Sequence, residues 1–110
     1  SGTSFNVIYA ENDDMAKGAV AALDKANISH GVGKDVIVMG FDCNKWALQE
    51  LLDQNWNYDG QCNPFQASYI DEIIKKVQSG EELTEKTIIM DEKGFDATTI
   101  TADDVEKYGI

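Results

Sequence analysis

The chain has 110 residues, 43% of them hydrophobic, with one proline, two cysteines and a formal net charge of -11. That length allows at most one ordinary domain with a small core, and the acidity argues against nucleic acid and anionic membrane surfaces as partners. No apolar run approaches the roughly 20 residues a membrane helix needs, so no direct membrane insertion of this chain is expected.

The start, Ser1-Gly2-Thr3-Ser4, is neither basic nor apolar. It does not read as a signal peptide and is taken as a cut from a longer protein. Phe5 to Ala10 is rich in β-formers and predicts a strand. Asn12, Asp13 and Asp14 then supply cap chemistry and negative charge for a first helical turn. Met15, Ala19, Ala22, Leu23 and Ala26 recur at helical spacing and predict one buried stripe. Gly18 inside that helix costs about 1 kcal/mol against Ala, a cost that close backbone contact with a strand would justify.

Asn27 to Asp35 is a connection built on Gly31 and Gly33, and Val36 to Phe41 is a second strand. Its nearly continuous apolar character predicts helices on both faces of the sheet. Asn44 is placed to cap the next helix, with Ala47, Leu48, Leu51 and Leu52 inward, and Gln54 to Asn57 ends it. Tyr58 to Cys62 is a brief extended stretch. Asn63 as N-cap, Pro64 at the first helical position and Gln66 at the capping-box position predict a further helix. Its apolar face would be Phe65, Tyr69, Ile70, Ile73, Ile74 and Val77, and Gly80 would stop it. Lys86 to Met90 reads as a last strand, and Thr101 with Asp104 three residues on starts a short helix carrying Val105 and Tyr108. The alternation predicts an α/β fold, a parallel sheet with right-handed crossovers and flanking helices.

Two strand-turn-helix units in tandem deliver Asn12 and Asp42 to one edge of such a sheet, the edge where open parallel sheets bind ligands. The pair suits a polyol: a carboxylate accepts two hydroxyl hydrogen bonds, and a carboxamide both donates and accepts. Each residue alone is also a plain helix-cap candidate. His30 reads as a surface loop residue, too far from either cysteine along the fold to activate a thiol. Gly31-Val32-Gly33-Lys34 precedes its strand and lacks the terminal hydroxyl residue of a phosphate loop. The acidic doublets Asp13-Asp14 and Asp103-Asp104 read as helix-start charges without the spacing of a calcium loop. Trp46 and Trp56 are separated by a helix and need not meet. No convergent acid, base and nucleophile is found, so an enzyme is not expected.

The turns Asn12-Asp13-Asp14-Met15-Ala16 and Val38-Met39-Gly40-Phe41-Asp42 resemble the Asn-Asp-x-Met-Ala and Val-x-Gly-Phe-Asp turns of a known family. That family is the sugar-binding proteins of bacterial ABC importers, of the ribose- and galactose-binding type. The resemblance runs from about Phe5 to Ile100 and implies a Rossmann-like, type I periplasmic-binding lobe, taken from the C-terminal portion of such a protein. It implies that Asn12 and Asp42 contact sugar hydroxyls. A third polar contact, Gln or Asn in the family, falls at Cys62 in Gln61-Cys62-Asn63-Pro64, with Gln61 or Asn63 as substitutes.

Cys43 stands where the family usually has Gly. The resemblance brings Cys43 and Cys62 to one cleft edge, where either a disulfide or two reduced thiols would serve. Residues 5–59 would belong to the C-terminal lobe. Residues 60–110 would hold a hinge crossing, a helix of the other lobe from Asn63 to Ser79, and a return strand and tail. The implied partners are a monosaccharide and the importer's permease, in an extracytoplasmic setting, with no cofactor and no metal. A piece complete in neither lobe could also associate with itself. The effector domain of a regulator similar to the lac repressor, or the sugar-sensing half of a sensor, are the alternatives.

Overall fold

In the computed structural model residues 4–110 are described, and Ser1, Gly2 and Thr3 lie outside them. The elements are β1 (Val7–Tyr9), α1 (Asp13–Lys25), β2 (Ile37–Phe41), α2 (Lys45–Leu52), β3 (Tyr58–Gly60), α3 (Ala67–Gln78), β4 (Gly94–Asp96) and α4 (Ala102–Tyr108). The chain divides into two compact units. One runs up to Cys62 and resumes over Lys93–Ile110; the other is Asn63–Glu92.

The first unit carries a four-stranded sheet in the order β1-β2-β3-β4. β1, β2 and β3 are parallel, with Ile8 opposite Val38 and Gly40 opposite Asp59. β4 closes the sheet antiparallel to β3, Phe95 opposite Asp59. The sheet is therefore mixed, not wholly parallel. The predicted strand at Lys86 to Met90 does not form. The fourth strand lies at Gly94–Asp96, after the second unit, and pairs antiparallel with β3.

Core side chains come from α1, β2, α2, β4, α4 and the turn that precedes β3. Ala16, Leu23, Val38, Ala47, Leu48, Leu51, Trp56, Phe95 and Val105 are all buried. Burying these apolar surfaces is the main force holding the unit together. Both crossover helices lie on one face of the sheet, and the other face carries Val7, Tyr9 and Ile37 exposed. The expected cover on both faces is not present: in β2, Val38 and Gly40 are buried, but Ile37 is exposed and Met39 and Phe41 only half-buried.

The inward stripe of α1 is rotated from the predicted one. Asp13, Ala16 and Leu23 are buried while Met15 is exposed, so the helix turns a carboxyl into the core. Gly18 has open space around it, and close packing does not explain it. In α2 the predicted positions Ala47, Leu48 and Leu51 are buried. Trp56 is the largest buried side chain and meets Trp46 edge to face, with ring centroids 5.8 Å apart. The two tryptophans do meet, because the turn after α2 folds Trp56 back beneath that helix. His30 is half-buried: its Nδ1 lies 2.8 Å from the Asn55 carbonyl and its Nε2 3.1 Å from Asp24.

α4 starts as expected, with a capping box in which Thr101 Oγ1 accepts from the Asp104 N–H while Asp104 returns a bond to the Thr101 N–H. In the second unit α3 begins at Ala67, later than predicted. Asn63 Oδ1 accepts from the Phe65 N–H at 2.8 Å, so it forms a local turn ahead of the helix instead of capping it. No residue of α3 is buried, and Phe65, Ile70 and Val77 of the predicted apolar face are exposed.

Candidate ligand-binding site

The parallel strands β1, β2 and β3 are neighbours, so their carboxyl ends share one edge. Asn12 follows β1, Asp42 follows β2 and Gln61 follows β3. The edge therefore carries one polar residue per strand, all three half-buried. Cys62, one residue further on, is exposed, and Asn63 opens the other unit.

Asn12 is the N-cap of α1. Its Oδ1 accepts the Met15 N–H at 2.8 Å, which leaves the amide donors of the side chain for another partner. Asp42 enters the edge with φ 117°, and Cys43 follows with φ 60°. Two consecutive non-glycine residues in this region cost of order 1–3 kcal/mol each, and such strain persists where surrounding contacts fix it. The family's usual Gly at the position of Cys43 fits the same backbone. Among the described residues the Asp42 carboxylate has no hydrogen bond, although its backbone N–H is held by the Gly60 carbonyl at 2.9 Å. Gln61 is tied to the return of the chain. Its N–H donates to the Lys93 carbonyl at 2.8 Å, and its Oε1 accepts from the Lys93 N–H at 3.2 Å.

Beneath this edge lies a feature the sequence reading missed. Asp13 and Asp59 are both fully buried. Asp13 Oδ2 accepts from the Asn44 N–H at 2.8 Å and from its Nδ2 at 3.1 Å. Asn44 thus spends its side chain on Asp13 and makes no side-chain cap of α2. Asp59 Oδ1 accepts from the Cys43 N–H at 3.3 Å. Burial, reinforced by the neighbouring Asp13 carboxyl, raises Asp59 to about 8, and burial raises Asp13 as well. Of the doublet Asp13-Asp14, expected as helix-start charges, only Asp14 is exposed to serve so. The signal available was Asp59, an acid in the middle of a short strand.

Gly40 belongs to the same arrangement. A Cβ there would stand 2.5 Å from Asp13 Oδ1 and 2.8 Å from the Trp56 ring. On the opposite face Tyr9, Phe41 and Tyr58 form an aromatic row, with centroids 5.2 and 6.5 Å apart. Gly60 leaves room for it: a Cβ would fall 2.6 Å from the Phe41 ring.

Cys43 and Cys62 are both free thiols, the first buried and the second exposed. The disulfide alternative is not formed. Cys43 faces inward, where burial and the carboxyl of Asp59 hold its thiol well above the usual range, and its Sγ lies 3.8 Å from Asp59 Oδ1. No group of three or more metal-ligating side chains occurs among the described residues.

A parallel β-α-β-α-β run with polar side chains along its carboxyl edge defines the class: the fold is that of type I periplasmic binding proteins. No family model matches the chain. Over 92 residues, 84% of this chain, it is 35% identical to the fructose import binding protein of Bifidobacterium longum. A Mycobacterium smegmatis protein solved with β-D-fucofuranose superposes with a TM-score of 0.75 at 31% identity over 89% of the chain. The periplasmic binding protein of the arabinose ABC transporter from Shewanella sp. ANA-3 superposes at 0.83 over 97% of the chain, with 24% identity. The chain is thus similar in sequence and fold to the sugar-binding proteins of ABC importers. It spans 27% of the curated relative, 31% of the Mycobacterium protein and 34% of the Shewanella protein.

Proposed function

We propose that this chain is part of the solute-binding component of an ABC sugar importer, and that Asn12, Asp42 and Gln61 hold a monosaccharide by its hydroxyls. The observation that carries this reading is the edge itself, where three adjacent parallel strands each end in a half-buried hydrogen-bonding side chain. Asp42 contributes carboxyl acceptors with no partner among the described side chains, suited to two vicinal hydroxyls. Asn12 contributes amide donors, because its oxygen is occupied by the helix N-terminus. Gln61 contributes its Nε2 donors, because its oxygen is held by the Lys93 N–H, and Cys62 or Asn63 is the alternative for this third contact.

The protein binds and releases its sugar without chemistry on it. A sugar that touches two lobes stabilises their closed arrangement, and the permease takes up that closed form. Residues 5–59 then belong to one lobe and the α3 segment to the other, and the setting is extracytoplasmic, as the names of the relatives suggest. The fucofuranose bound to the Mycobacterium protein supports five-membered ring forms as first candidates.

A thermal-shift screen of the protein against fructose, ribose, arabinose and galactose tests the proposal. A sugar at 100 times its dissociation constant raises stability by about 2.7 kcal/mol. A shift with one sugar is expected, and it should vanish in Asp42→Ala. No shift with any monosaccharide would refute the assignment.

A further inference from the structure

We propose that Asp13 and Asp59 share a single proton beneath the binding edge and act together as positioning residues for the turn that carries Asp42. The pair comes from different elements, Asp13 from the first turn of α1 and Asp59 from the centre of β3. Each carboxyl has one oxygen engaged with the turn: Asp13 holds the Asn44 N–H and Asp59 holds the Cys43 N–H. Each also has one oxygen, Asp13 Oδ1 and Asp59 Oδ2, that is buried and meets no donor. Asp59 stands opposite Gly40 in the sheet, and the space a Gly40 Cβ would take lies 2.5 Å from Asp13 Oδ1, so the two carboxyls approach each other there; two acceptors can satisfy one another only with a proton between them.

Among the described residues no lysine or histidine pairs with either carboxyl. Of the titratable groups beside the pair in the β2–α2 turn, Asp42 adds negative charge, whereas the buried Cys43 thiol stays neutral. Two carboxylates in such a site do not both ionise. Gly40 keeps the space for Asp13 Oδ1, since a Cβ would occupy it at 2.5 Å.

The consequence runs through the backbone of the turn. Cys43 and Asn44 are each held by one member of the pair, and Asp42, immediately before them, carries the φ of 117°. The far side is braced separately: the Cys43 carbonyl accepts from the Ile110 N–H at 3.1 Å. Loss of the shared proton places two negative charges against each other, and the pair separates. The two amides it holds then move apart and Asp42 loses its fixed direction. Resting on the sugar-binding reading, this makes sugar affinity fall in alkaline solution although neither Asp13 nor Asp59 touches the sugar.

The test is a pH titration of the full chain by NMR, following the carboxyl carbons of labelled aspartates and the amides of residues 42–44, with calorimetric titration of D-fructose alongside. One carboxyl is expected to titrate at about 8, with the amides of Asp42, Cys43 and Asn44 moving at the same midpoint. Asp59→Asn supplies a permanent donor to Asp13 Oδ1 and should abolish both changes while keeping the fold; Asp13→Asn does the same from the other side. Fructose affinity should weaken at least tenfold across the midpoint in the wild type and stay level in Asp59→Asn. The proposal is overturned if both buried carboxyls titrate in the ordinary range, if the turn amides ignore the transition, or if bound fructose ignores it. A complete titration with no fructose bound at any pH supports the pair and counts against the sugar reading alone.

Discussion

Asp13 and Asn44 join the two motifs of the chain: Asp13 Oδ2 accepts both the backbone N–H and the side-chain Nδ2 of Asn44, at 2.8 and 3.1 Å. Asp13 follows the cap residue Asn12, and Asn44 lies two residues after Asp42. The contact therefore fixes the spacing between the two side chains assigned to the ligand. Position and recognition are separated here, because the residues that touch each other are not the ones left free for hydroxyls.

Asp42 should be removable at little structural cost. Among the described residues its carboxylate makes no hydrogen bond, and its backbone sits at φ 117°. Asp42→Gly should leave stability unchanged or raise it by up to about 1 kcal/mol, the strain relieved being partly offset by the greater freedom of the unfolded chain. Sugar affinity should fall about a hundredfold with the loss of charged hydrogen bonds. Chemical denaturation and calorimetry on the same variant check the two halves.

Gly40→Ala should act in the opposite sense. The added methyl meets Asp13 Oδ1 at 2.5 Å and the Trp56 ring at 2.8 Å, and Trp56 is 1% exposed. Neither neighbour can retreat into solvent, so a loss of roughly 1–3 kcal/mol is expected in denaturant unfolding. Wild-type stability in this variant would show that the carboxyl pair and Trp56 are loosely held.

Stability should fall as the solution becomes alkaline. Burial, then the Asp13 carboxyl, raises Asp59 to about 8, whereas an unfolded aspartate lies near 3.9. The native state thus keeps a proton that the unfolded state has released, and the stability so gained is complete below about pH 4 and lost as pH rises towards 8. The melting temperature should drop between roughly pH 5 and pH 8.5, and Asp59→Asn should flatten that slope. The exposed Asp104 works the other way: its bonds to Thr101 and Lys93 lower its carboxyl, so its contribution disappears in acid. A melting temperature level from pH 5 to 8.5 would contradict the buried pair.

Thiol reactivity should divide the cysteines. Cys62 is exposed and Cys43 is buried with its thiol held high. An aromatic disulfide reagent should label one thiol in the native protein and two in denaturant. Labelling of none in denaturant would mean a bridge that the fold does not contain.

Much of the first unit was legible because local signals and tertiary needs agree there. Phe5 to Ala10 and Val36 to Phe41 carry apolar runs that contain β1 and β2, and Ala47, Leu48 and Leu51 face inward in α2 as their spacing requires. The Thr101–Asp104 box marks the start of α4. Failures arose where only distant partners decide. Nothing local separates Asp13 from Asp14; Asn44 and Asp59 do, across 31 residues in the case of Asn44. Lys86 to Met90 has strand composition but no neighbour to pair with, while Gly94–Asp96 has poor composition and pairs with β3. Asn63-Pro64 carries helix-start residues, yet the Asn63 side chain satisfies the Phe65 N–H first and delays the helix to Ala67. At the candidate site Asn12 and Asp42 could be read from the turns, whereas the carboxyls beneath them could not.

The measurement that bears most directly on this account is calorimetric titration of the protein with the sugar selected by thermal shift, in wild type and Asp42→Ala. Saturable one-site binding that is lost in Asp42→Ala while the melting temperature is kept is the predicted result. Equal binding by the variant, or no binding of any monosaccharide by the wild type, would contradict it.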